Sequence, residues 1–317
     1  MAELVSKTER LKAYLLILIV ALFFAIPFIL SEATVILLCE VFCLCLFAAS
    51  INFLLGYGGM IPFGHGAFYG AGAYSCAIML KKAGLPLGFA ILTTPIITAI
   101  LGLIIGFFCV RLAGLKFAML SLAFGQIVWA IIYKWYSFTG GDDGIIDIPL
   151  PTFLYDSTYC YYSIFLVLLV ALSVLWRITN STFGWTLESI RENTERVYFI
   201  GTNARNYQMI AFVISTFFAG LAGALFVLVS HNAFPEYVFW AKGGEGIIMV
   251  VLGGMFSFFG PIIGAFVLLF LHTFILSQTE YWPFFLGAIL LVVMLFAPEG
   301  IVGVIGRKLA FEKEKAN

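Results

Sequence analysis

The sequence predicts an all-α polytopic membrane protein, and three observations carry that prediction. Of its 317 residues, 62% are hydrophobic and only 11% charged, where a soluble domain carries about 25% charge. Apolar runs of about 20 residues recur along the chain, the length a helix needs to cross a bilayer. Lysine and arginine are also distributed unevenly between the connecting segments. In lipid only helices and closed barrels satisfy their own backbone groups, and these runs are too long for barrel strands.

Taken in order, the apolar segments fall near 12–30, 33–55, 66–80, 88–110, 115–137, 159–178, 206–229, 243–255, 260–277 and 284–305. The expectation is therefore about ten membrane helices in a single domain, 1–317, with its spans over 12–305. The opening MAELVSKTERLK precedes an apolar run to Leu30 that has no small-residue cleavage motif, so it reads as a retained first helix. A cytoplasmic N-terminus puts Lys7, Arg10, Lys12, Arg111, Lys116, Arg177, Arg191, Arg196, Arg205, Arg307, Lys308, Lys313 and Lys315 inside. Only Lys81, Lys82, Lys134 and Lys242 are left outside, which by the positive-inside rule predicts both termini in the cytoplasm. Net charge is zero, so nucleic acid is set aside as a partner. The six cysteines, Cys39, Cys43, Cys45, Cys76, Cys109 and Cys160, lack zinc-site spacing and read as small hydrophobes, with no metal expected.

Two polar stretches interrupt this pattern. On the outer side SFTGGDDGIIDIPLPTFLYDSTY, residues 137–159, is long enough to fold on itself. On the inner side, within residues 180–206, Leu187, Ile190, Val197 and Ile200 follow helical spacing and predict an amphipathic helix from near Thr186 to a stop at Gly201. Glu188 with Arg191 and Glu192 with Arg196 are spaced to pair along it. This helix serves either as a connector resting on lipid headgroups or as a docking element for a soluble partner.

The glycines gather in GGMIPFGHGAFYGA, Gly58–Ala71, and again in GGMFSFFGPIIGA, Gly253–Ala265, which share G-G-M-x-x-F and then G-x-x-x-G-A. A possible internal repeat follows, and both copies adjoin short spans, as transporters with duplicated halves do at their substrate sites. Gly66 and Gly70, Gly102 and Gly106, and Gly260 and Gly264 have the spacing that lets helices approach closely. Taken singly, these glycines read as packing residues. The Gly56–Gly66 cluster, with Pro62 and His65, reads as a broken pathway segment, because such breaks are tolerated only where they are packed in protein or line a wet cavity. The pathway candidates are Gly58, Gly59, Phe63, His65, Gly66, Tyr74, Gln126, Gly253 and Gly254.

Ionisable and polar groups at span positions cost free energy unless paired or hydrated. Glu40 is read as neutral or paired. His65, between two glycines, is expected to face open space, in the pathway or as a helix cap. Gln126 is expected to bond a neighbouring helix, and Glu245 to pair with Lys242 at the external membrane surface. His272 also lies in a span.

Five collinear blocks resemble the LivM-type permeases of bacterial branched-chain amino-acid ABC importers, over about Leu44 to Gly303. They are INFLLGYGGMIPFGHGAFYGAGAY, GLKFAMLSLAFGQIVWAII, FTGGDDGI, FGWTLESIRENTERVYFIGTN, and AFVISTFFAGLAGALF with MVVLGGMFSFFGPIIGA. The resemblance implies a multi-pass subunit of the bacterial inner membrane that moves leucine, isoleucine and valine by alternating access. It implies a second related permease subunit, ATP-binding-cassette ATPase subunits and a periplasmic substrate-binding protein as partners. It makes Thr186–Gly201 the coupling helix, with Leu187, Glu188, Ile190, Arg191, Glu192 and Arg196 meeting the ATPase. Glu188-Ser189-Ile190 departs there from the Glu-Ala-Ala of many bacterial importers. Thr139, Gly140, Gly141, Asp142 and Asp143 would meet the binding protein.

No G-x-x-x-x-G-K-[ST] occurs, so the chain has no P-loop of its own; no cofactor and no catalytic residue are expected, and ATP would bind on a partner. Two alternatives stay open. The same importer type can carry urea or short amides, and an ion-coupled secondary transporter would use Glu40 as its deep carboxylate.

Overall fold

A computed structural model describes residues 24 and 26–276 and, beyond them, 278, 281, 284, 285, 287–289, 291, 295 and 299–304. The segment expected at 12–30 thus lies largely outside the described residues and that at 284–305 partly so, while Lys7, Arg10, Lys12, Arg307, Lys308, Lys313 and Lys315 lie wholly outside them. The chain folds into α1 (Glu32–Asn52), α2 (Gly66–Lys81), α3 (Leu87–Cys109), α4 (Leu115–Lys134), α5 (Ser157–Thr179), α6 (Thr182–Glu192), α7 (Thr194–Phe199), α8 (Ala204–Ser230), α9 (Trp240–Gly253) and α10 (Gly260–Leu276). Among the described residues five helical stretches are long and apolar enough to cross a membrane: Glu32–Tyr57, α3, α4, α5 and α8. The protein is therefore an all-helical, polytopic membrane protein.

The apolar content of these helices decides where they sit. In the most apolar windows of α1 and α8, 78% of residues are buried, against 33% in α3, 28% in α4 and 39% in α5. So α1 and α8 form the centre, and the outer faces of the other three supply the lipid-facing surface. Small residues bring the central helices together. A Cβ on Gly102 of α3 would stand 2.0 Å from Thr216 Oγ1 of α8, and one on Gly223 of α8 would stand 1.9 Å from the Tyr69 carbonyl oxygen of α2. Gly264 of α10 lies equally close to the Met249 carbonyl of α9. The G-x-x-x-G pairs expected to permit close approach do so, and all six cysteines are unbridged and buried, as small apolar side chains would be.

Helix ends follow local chemistry. Asp156 Oδ1 accepts the Thr158 amide at 2.8 Å and starts α5; Asn193 and Asn203 cap α7 and α8 in the same way. At its far end α1 loosens into a π-turn over Phe53–Tyr57, a winding often found at functional positions.

The loop 137–159 does fold on itself, and it also docks. Thr139 Oγ1 donates to the Trp135 carbonyl at 2.8 Å, and Tyr136 Oη donates to Asp143 at 2.9 Å, which raises the phenol above its ordinary pKa. Ile145 and Ala233 exchange backbone hydrogen bonds, and the Ile148 amide donates to the His231 carbonyl at 3.0 Å. Lys82 Nζ donates to the Ser137 and Phe138 carbonyls at 2.9 and 2.8 Å, and Lys81 to that of Ile146. We call this the loop end of the molecule; α6 and α7 lie at the opposite end.

The two short spans are half-helices. The 16 residues of α2 and 14 of α9 give about 24 and 21 Å, less than the ~30 Å hydrocarbon core. After α8 reaches the loop end, residues 235–238 turn back along α2, with Val238 against Gly70, and α9 starts where α2 starts. There a Cβ on Gly66 would lie 2.7 Å from the Gly243 nitrogen. This corrects the expected position of Lys242 and Glu245. They do pair, at 2.8 Å, but in the interior beside the start of α2, not at the external surface.

Candidate functional site

The two glycine-rich copies have matching geometry. In each, a helix stops at G-G-M and a second helix starts a few residues later: α1 with its π-turn before α2, and α9 before α10. The second glycine of each pair has positive φ, +65° at Gly59 and +118° at Gly254, a conformation that side-chain-bearing residues rarely adopt. The copies also touch. Asn52 Nδ2 donates to the Ser257 carbonyl at 3.2 Å, and a Cβ on Gly56 would stand 2.1 Å from the Met255 carbonyl. Glycine is required here because backbone crosses backbone.

The segment that holds α6 and α7 meets this junction. A single helix was expected over 186–201; the chain instead forms α6 and α7, with Asn193 extended between them at φ −158°, its side chain accepting the Arg196 amide at 2.9 Å. The break turns the stripe, so Leu187, Ile190 and Val197 are buried while Ile200 is 75% exposed. Neither expected charge pair forms. Arg191 Nη1 donates to the Gly56 carbonyl, and its guanidinium lies 5.3 Å from the Phe256 ring centroid. Its Cγ would lie 2.7 Å from a Cβ on Gly59. Arg191 is therefore the side chain of α6 that touches both broken segments. Leu187 and Ile190, expected to contact an ATPase, face inward and fasten α6 to the membrane helices instead. Glu192 and Arg196 are exposed, Glu188 is half-buried, and Trp185, Tyr198 and Phe199 are the exposed large apolar side chains of this pair.

The ring of His65 does not face open space. It is fully buried, stacked on Phe47 at 6.0 Å, with Nε2 at 3.0 Å from Ser215 Oγ and 3.3 Å from Ser50 Oγ. Ser215 also donates to the Ser50 carbonyl at 2.6 Å. His65 occupies the cap position of α2 but makes no side-chain capping bond. The imidazole thus ties the break to α1 and α8. Ser50 and Ser215 escaped the sequence reading, although a serine in the middle of an apolar run was the available signal.

The other pathway candidates separate. Gly58, Gly66, Gly253 and Gly254 are buried at the breaks, Gly59 is exposed, and Phe63 is half-buried beside Gly243. Tyr74 lies further along α2 with its hydroxyl buried and unbonded. Gln126 does not make the expected interhelical bond: its Nε2 is buried without a partner. In the loop, Thr139 and Gly141 are buried and structural, Gly140 is half-buried, and Asp142 and Asp143 are exposed. Among the described residues no group of three His, Cys, Asp or Glu could hold a metal.

Half-helices that meet in the interior, a repeated helix–break–helix unit and several lipid-facing spans define the architecture of a membrane transport protein. The chain matches the family described as "Branched-chain amino acid transport system / permease component" over residues 33–294, and it belongs to that family. It is 29% identical over 324 aligned residues to the high-affinity branched-chain amino acid transport system permease protein LivM of Escherichia coli K12, covering 94% of this chain and 76% of that one. LivM of Salmonella typhimurium LT2 is 27% identical, with coverage of 98% and 79%. LivH of E. coli K12 is 26% identical, with coverage of 80% and 90%. No solved structure matches the chain. Family and apolar helices together make it a multi-pass protein of the bacterial inner membrane.

Proposed function

We propose that this chain is the permease subunit of an ATP-binding-cassette importer that carries branched-chain amino acids, leucine, isoleucine and valine, into the cell by alternating access. Its termini and the α6–α7 pair lie in the cytoplasm, its loop 137–159 faces the periplasm, and about ten spans complete the domain. ATPase subunits dock on the exposed side of α6 and α7, where Glu192 and Arg196 flank Trp185, Tyr198 and Phe199. A substrate-binding protein meets Asp142 and Asp143, and a second, related permease subunit completes the path.

The observation that carries the mechanism is Arg191. A displacement of α6 by the ATPase reaches Gly56 and Phe256 together, through one hydrogen bond and one cation–π contact. Both glycine breaks are thereby placed under one lever. ATP closes the partner subunits; this chain supplies the gate and no hydrolytic chemistry.

The test is reconstitution into proteoliposomes. With its companion permease, ATPases and binding protein, the chain is expected to give ATP-dependent accumulation of radiolabelled leucine. Uphill accumulation by this chain alone, driven by an ion gradient, would overturn the proposal.

A further inference from the structure

The half-helix starts bring charged and polar groups together from four helices. Glu40 sits on α1, about 12 Å below the loop end by helical rise. Lys242 and Glu245, paired at 2.8 Å, are on the first turns of α9. Tyr69 is on the first turn of α2, with Lys242 Nζ 5.9 Å from its ring centroid. Phe47, two turns along α1 from Glu40 and on the same face, packs on Tyr69 with ring centroids 4.8 Å apart, and charge interactions run between Glu40, Lys242 and Glu245 and between His272 of α10 and that pair.

Two features make this more than a structural ion pair. Counting His272 as neutral, two carboxylates face one ammonium, and among the described residues Glu40 makes no hydrogen bond or ion pair. A surplus carboxylate at this depth costs several kcal/mol unless a cation or proton meets it. The Tyr69 hydroxyl, on a side chain with no exposure, also lacks a hydrogen-bond partner among the described residues although it lies among these charges. The positive ends of the α2 and α9 dipoles converge beside it, an arrangement that favours an anionic group. Among the described residues the cluster is thus short of one cation and offers an unused donor to one anion. Lys242 and Glu245 keep 19% and 24% of their side-chain surface exposed.

We propose that Glu40, Tyr69, Lys242 and Glu245 form the site that holds the two charged groups of a zwitterionic amino acid in transit. The α-ammonium lies against the Glu40 and Glu245 carboxylates, and the α-carboxylate takes the Tyr69 hydroxyl and Lys242. This deepens the proposed function and rests on it.

The experiment uses the assembled importer in nanodiscs, without binding protein, titrated with leucine, with 3-methylbutylamine, which lacks the carboxylate, and with 4-methylpentanoate, which lacks the ammonium. Glu40→Gln is expected to weaken leucine and the amine roughly tenfold or more while sparing the acid, and Lys242→Met to weaken leucine and the acid while sparing the amine, as the loss of a charge-assisted hydrogen bond requires. Glu40→Asp should restore part of the amine affinity, and Glu32→Gln, an exposed carboxylate at the start of α1, should change nothing. If Glu40→Gln does not assemble, Glu40→Asp, Lys242→Met and Tyr69→Phe carry the test. Leucine affinity within about twofold of wild type in all assembled variants overturns the inference. Wild-type uptake of leucine alongside that result would leave the proposed function standing. A wild-type importer that takes up urea or acetamide but no amino acid would overturn both.

Discussion

Three residues set the local rules of this protein. Gly64 is packed so tightly that a Cβ there would stand 1.9 Å from the Ser121 carbonyl, whereas Gly88, also helical, has nothing within 4 Å. Gly64→Ala is therefore expected to cost about 1–3 kcal/mol through overpacking, and Gly88→Ala to be neutral or stabilising by up to about 1 kcal/mol. Thermal unfolding of the purified variants in one detergent compares them. Ser215→Ala removes a donor to the Ser50 carbonyl and a partner of His65 at one stroke; a loss of about 1–3 kcal/mol is expected, read in the same assay. Arg191 reaches Gly56 and Phe256 across the molecule. Arg191→Ala should leave the ATPase turning over while leucine uptake per ATP falls at least several-fold. Arg191→Lys should fare little better, because an ammonium lacks the planar fork of a guanidinium. Unchanged coupling in Arg191→Ala would remove Arg191 from the lever.

At the scale of elements, period and composition expose what is long and apolar. The segments 88–110, 115–137 and 206–229 correspond to α3, α4 and α8 within a few residues, because burial in lipid demands uninterrupted apolar helix. The α6–α7 pair shows where such reading stops. Leu187, Ile190 and Val197 announce a buried stripe, but nothing in their spacing reveals that Asn193 leaves the helix to cap the next one, which frees Ile200 to the surface. Tertiary contacts to α1 and α8 decide that break. Asn193→Ala should destabilise α7 by about 1 kcal/mol, visible as faster amide exchange confined to 194–199. In the loop, exposed Asp142 and Asp143 stand on a frame made by Thr139, Gly141 and the Ile145–Ala233 pairing. Reversing both charges to lysine should lower the stimulation of ATPase activity by binding protein while basal turnover is kept; equal stimulation would place that contact elsewhere.

For the whole molecule, the candidate site was legible in part. The G-G-M copies marked the breaks, since adjacent glycines end a helix where a single glycine such as Gly102 only lets two helices pack closely. The partnership of His65 with Ser50 and Ser215, separated from it by 15 and 150 residues, depends on how α1, α2 and α8 pack, and no local pattern encodes that. Lys242 and Glu245 were legible as a pair but not in depth, because the descent of 235–238 along α2 leaves no compositional trace. The widened winding at Phe53–Tyr57 carries one further consequence. It contains one residue more than an ordinary helical path would use. Deleting one residue from the regular turns of α1 before it, with the winding kept, would swing everything after the deletion by about 100°. The Gly56 carbonyl would then turn away from Arg191 with no side chain altered, so the phase of one helix, rather than any chemical group, decides whether the two ends of the lever meet.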